Sequence, residues 1–95
     1  MIKILEKAVC KVCEISEDEL RNGGAKRVYS SARSLTWYIL HYNLGYSAHA
    51  IAKEYGRSDR GVKKMIANIK FQLRGKDLRS KYDIVCMEIE KAAEP

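Results

Sequence analysis

The sequence predicts a compact all-α domain of five to six helices built around a central helix-turn-helix. Three observations carry that reading. First, the chain has 95 residues, 46% of them hydrophobic, enough apolar mass for one domain, 1–95, with one small core. Second, apolar residues recur every three or four positions along most of its length, the period of a helix with one buried face. Third, a single Pro and six Gly leave few breakers, and no repeat, linker or low-complexity segment divides the chain.

The leading helix is expected over 2–14, with Ile2, Leu5, Val9 (or Ala8), Val12 and Cys13 on its inner face. Ser16-Glu-Asp-Glu19 is a capping box: the Ser16 hydroxyl satisfies an early helical N–H and Glu19 reaches back. It opens a short helix through Leu20, which Asn22-Gly23-Gly24 ends. Lys26-Arg27-Val28-Tyr29 reads as a basic connector. Ser30 or Ser31 then caps a longer helix to Tyr42, whose core face holds Ala32, Leu35 and Ile39 with Trp37 or Leu40. Asn43-Leu-Gly45-Tyr46 turns the chain into the central motif. Beyond it, Gly75 is a breaker and Asp77 caps a final helix, 77–92, with Leu78, Tyr82, Val85 and Ile89 inward.

Residues 47–73 are the most informative stretch. Ser47 caps a short helix carrying Ile51, Ala52 and Tyr55, and Gly56 supplies a tight turn where left-handed backbone costs little. Ser58 caps a second helix with Val62, Ile66, Ile69 and Leu73 on one face. Its other face carries Arg60, Lys63, Lys64, Lys70 and Arg74. One apolar stripe, one cationic stripe and a Gly turn behind a short helix suit an element that reads the major groove of DNA.

The charge is distributed in the same sense. The formal net charge is +6, but residues 57–81 alone carry +7, while 1–20 carry −2 and 82–95 carry −3. A surface that is merely solubilising mixes its signs more evenly. The expected partner is therefore double-stranded DNA. The chain has no secretory h-region and no apolar run of transmembrane length, which predicts a cytoplasmic protein with no membrane partner. Cys10, Cys13 and Cys86 are an odd number outside a secretory context and are expected to be reduced. Cys10-Lys-Val-Cys13 has metal-ligand spacing but no second paired motif, so core packing is favoured over metal or redox chemistry. His41 and His49 stand in no nucleophile or carboxylate pattern. No enzyme activity, cofactor, metal or small-molecule substrate is expected. Trp37 and Tyr38, Tyr42, Tyr46 and Tyr55 read as core and rim rather than as a base-stacking platform.

Taken in order, these elements resemble the C-terminal DNA-binding domain of the bacterial chromosomal replication initiator DnaA. The resemblance runs from Ile2 to Lys91. It includes Ile15-Ser-Glu-Asp-Glu-Leu20, the basic connector, Ala32-Arg33 opening the long helix, Tyr46-Ser47-x-x-x-Ile51-Ala52, Tyr55-Gly56-Arg57 and the basic helix ending in Ile69-Lys70. It implies a Trp-repressor-like fold in which the start of the second motif helix reads bases. It also implies that Arg33 holds the flanking minor groove and phosphates, that Lys26 and Arg27 support those contacts, and that Arg57 acts at the turn.

Two departures qualify the resemblance. The family's turn runs Gly-Gly-Arg-Asp-His-Thr-Thr-Val, whereas here it is Gly56-Arg57-Ser58-Asp59-Arg60-Gly61-Val62, one Gly shorter. The side chains that meet base edges have changed type, so binding to the initiator's own box is not expected. The family's ATPase domain has no counterpart either. Gly75-Lys76-Asp77 lacks the upstream Gly and the hydroxyl of a phosphate-binding loop. Met1 and the altered code favour a free-standing relative over an excised domain. The roles open to it are competition at initiator sites, transcriptional regulation, or service to a phage or mobile element.

At the expected interface Arg60 pairs with a guanine edge, and Lys63 and Lys64 contact bases or phosphates. Asp59 either stabilises the helix start by its charge or accepts from a cytosine amino group. Ser58 is a cap first and a phosphate contact second. Gly61 either allows a close approach to DNA or sits where no side chain is demanded. No dedicated dimer helix is evident, which favours a monomer. The alternative to DNA is a protein-interaction module on a reused helix-turn-helix, which should expose an apolar patch.

Overall fold

The computed structural model describes residues 2–24 and 26–93, and all of its regular elements are helices. Its elements are α1 (Ile2–Cys13), α2 (Glu17–Asn22), α3 (Arg27–Tyr42), α4 (Ala48–Tyr55), α5 (Asp59–Gln72) and α6 (Lys76–Ala93). None is long and apolar enough to cross a membrane among the described residues.

Local chemistry explains the helix starts. Ser16 accepts from the Glu19 amide at 3.0 Å while the Glu19 carboxylate accepts from the Ser16 amide at 2.9 Å, the reciprocal pair expected for α2. Ser47 and Ser58 accept from Ala50 and Gly61 amides at 3.0 and 3.1 Å, capping α4 and α5 as the sequence predicts. A Cβ added at Gly61 would stand 3.0 Å from the Ser58 hydroxyl, a tight contact, although Glu19 and Ala50 carry a side chain at the same position after their own serine caps.

One start differs from expectation. Lys26-Arg27-Val28-Tyr29 is not a connector: α3 begins at Arg27, and Ser30 and Ser31 lie inside it. The Ser30 amide already bonds the Lys26 carbonyl at 3.0 Å, and Lys26 stands at the N-cap with no side-chain cap bond. Tertiary contacts set this boundary. The Tyr29 hydroxyl donates to Glu19, and a Cβ added at Gly23, the C-cap of α2, would lie 2.8 Å from the Tyr29 ring.

At the far end of α1 the chain turns through Glu14, at φ 58°, the left-handed region that glycine occupies without strain. Glu14→Gly is expected to raise stability by about 0.5–1 kcal/mol, the relieved strain being partly offset by a more flexible unfolded chain. A rise of a few degrees in Tm, read by circular dichroism, would bear this out, and no rise would contradict it.

α3 is the central helix. Ala32, Leu35, Trp37, Ile39 and Leu40 are all buried, and the helix packs on α1, α2, α4 and α5. Both Trp37 and Leu40 are therefore core. α6 packs back along α1, burying Val85 and Ile89. In α1 the deeper thiol is Cys10 rather than Cys13, and burial, chiefly, pushes it up to about 11.

Candidate nucleic-acid interface

The motif geometry comes from two short stretches. Gly56 adopts φ 64° after α4, and its amide and that of Arg57 both bond the Ala52 carbonyl. Ser58 restarts the helix. Val62, Ile66, Ile69 and Leu73 are buried on the inner side of α5, which fixes what points outward.

Arg60, Lys63 and Lys64 are exposed on the first turns of α5. None takes part in an ion pair among the described residues. At positions i, i+3 and i+4 they share one side of the helix. Asp59 sits on the first turn with its carboxylate engaged: Oδ2 lies 3.0 Å from His49 Nδ1, linking the starts of α4 and α5. The sequence reading places His49 in no carboxylate pattern, and the structure corrects it. Nothing in the periodicity marks it, since the pair forms across two helices.

Arg57 is exposed at the turn, its Nη2 3.5 Å from the Arg21 carbonyl. Lys26 is exposed, with its ammonium 5.9 Å from the centre of the Tyr29 ring. Arg27 is exposed too, but its side chain lines the cleft formed by Phe71, Gln72 and the start of α6. Eleven residues of helix separate Arg60 from Phe71, roughly 16 Å at the α-helical rise. Arg27 therefore lies toward the far end of α5 from Arg60.

Arg33 departs furthest from expectation. It is only 4% exposed. Its Nε donates to the Leu20 carbonyl at 2.7 Å, and Nη2 donates to those of Gly23 at 2.6 Å and Gly24 at 3.3 Å. It closes the C-terminal end of α2, whose last carbonyls have no partner within the helix. A guanidinium held this way is not presented to a phosphate or a minor groove. Burial, with the nearby Arg57 cation adding to it, pulls the Arg33 guanidinium below its ordinary value.

Behind the motif lies a polar support that the periodicity does not reveal. Glu6 is 3% exposed on the inner side of α1. It accepts from Arg21 Nε at 2.8 Å and Nη2 at 3.1 Å, and from the Tyr55 hydroxyl at 2.8 Å. The Arg21 guanidinium also lies 4.7 Å over the Tyr55 ring, and Tyr55 meets Trp37 edge-on at 5.5 Å. Burial and the Glu6 carboxylate raise the Tyr55 phenol, and the Glu6 bond raises Arg21. One cluster thus joins α1, α2 and the last residue of α4. Among the described residues no group of three or more His, Cys, Asp and Glu side chains is placed to hold a metal ion.

No protein-family model, curated protein or solved structure matches the chain.

Proposed function

We propose that this chain is a double-stranded DNA-binding module that places the start of α5 in the major groove. The observation that carries the reading is the exposed face of Arg60, Lys63 and Lys64, free of ion pairs among the described residues, at the first turns of the second helix of a helix-turn-helix. Phosphate contacts supply most of the affinity and Arg60 biases it by sequence. The resemblance to the replication initiator's C-terminal domain supports a role connected with replication or transcription. The altered turn supports a target other than the initiator's box.

The test is selection from a random duplex pool at two salt concentrations, with the bound fraction sequenced. Salt-sensitive binding with an enriched motif is the expected result. Arg60→Ala should then cost about 1–3 kcal/mol and relax preference at one base pair. Salt-sensitive binding without enrichment would reduce the role to DNA coating. No binding at low salt would overturn the reading.

A further inference from the structure

A second surface lies at the opposite end of α5. Two adjoining clefts share Arg27, Ser31, Leu78 and Lys81, and together form an open groove between the start of α3 and the α5–α6 junction. Leu78 and Val28 give it an apolar floor, and Phe71 stands beside it at 69% exposure, the most exposed large hydrophobic residue among those described. Arg27, Lys76 and Lys81 line the groove against one acid, Asp77, and none of the three cations is in an ion pair among the described residues.

A single exposed apolar side chain needs no explanation. Here Phe71 and Leu78 line one cleft among cations that have no ion-pair partner among the described residues, and the Arg74 guanidinium lies 5.5 Å from the Phe71 ring centre. We propose that this groove docks an acidic, amphipathic segment of a partner protein. Its carboxylates would face Arg27, Lys76 and Lys81, and its apolar side chains would cover Phe71 and Leu78. Charge complementarity identifies the partner's sign, and the apolar floor favours a peptide over a phosphate backbone, which offers nothing to cover Phe71. The inference does not rest on the DNA reading, because Arg60 lies roughly 16 Å from Phe71 along α5; Arg27 alone is shared with the expected DNA contacts.

The test is a display selection of short random peptides on the full chain, followed by fluorescence anisotropy with the enriched peptides. Sequences pairing Asp or Glu with Leu, Phe or Trp should be enriched. Phe71→Ala, and Lys76→Glu with Lys81→Glu, should each weaken binding about tenfold or more, while Arg60→Ala leaves it unchanged. Phe71 and Lys76 are exposed, and circular dichroism checks that each variant keeps its helices. Failure to enrich acidic-apolar peptides would overturn the proposal, as would enriched peptides that bind the groove variants like the parent. Loss of duplex binding in the groove variants, with peptide binding intact, would assign the groove to phosphate instead. Self-association abolished by Phe71→Ala would make the occupant a second copy. If duplex binding fails altogether while the peptides still bind through Phe71, the DNA reading falls and this one stands.

Discussion

Glu6→Ala is expected to destabilise the fold by about 2–4 kcal/mol. Removing one member of a buried ion pair typically costs about 3–5 kcal/mol, because the other is left without compensation. Here the Arg21 side chain keeps 33% exposure, so water repays part of that loss. The Tyr55 hydroxyl loses its acceptor as well. For a domain of this size the drop in Tm should be roughly 10–20 °C. Glu6→Gln keeps one acceptor oxygen, which at the Oε2 position serves both the Tyr55 hydroxyl and Arg21 Nε, but its NH2 then faces the Arg21 Nη2 donor, so it should lose less than Glu6→Ala without restoring the pair. Denaturant melts of the two variants settle the matter. Equal and small losses would mean that the cluster holds α1, α2 and α4 together far less than its geometry implies.

Arg33→Ala is the second large effect, at about 2–4 kcal/mol. Three carbonyls at the end of α2 lose their donor and the buried stem leaves a void. Arg33→Lys should recover little, since one ammonium cannot reproduce the fork that reaches Leu20 and Gly23 together. Arg33→Met, which removes the charge, separates two roles for the residue. If Arg33 is structural, this variant melts early but keeps the salt dependence of duplex binding. An unchanged Tm with a salt slope smaller by about one contact would mean that the guanidinium leaves its pocket to grip a phosphate, contrary to the structure.

What could be read from the sequence was local. Ser16, Ser47 and Ser58 announce their helices because a cap needs only a hydroxyl and an amide three residues on. Val62, Ile66, Ile69 and Leu73 announce the buried side of α5 because helical periodicity is written into their spacing. The exposed Arg60, Lys63 and Lys64 follow from the same count. Pairings across the chain could not be read this way. Glu6 meets Arg21 fifteen residues away and Tyr55 forty-nine away, and a carboxylate within an apolar run gives no sign of its partner. Arg33 sits at an ordinary helical position until α2 presents its carbonyls. The start of α3 was misplaced for a related reason. Ser30 and Ser31 look like caps, yet contacts with Glu19 and Gly23 draw the helix back to Arg27.

The two serine caps and the left-handed Gly56 have a consequence for how any ligand meets this end of the molecule. Gly56 and Ser58 set the two ends of the turn with bonds internal to the chain, Ser47 fixes the start of the helix before it, and the His49–Asp59 contact adds a brace across it. The loose degrees of freedom at the tip of α5 are therefore confined to the long side chains of Arg60, Lys63 and Lys64. Docking there would freeze rotamers rather than backbone, a cost of about 0.5–1.5 kcal/mol for each side chain immobilised. Such a tip is preorganised. Its encounters should be fast and governed by charge, and discrimination among partners should appear in how long they stay rather than in how often they arrive.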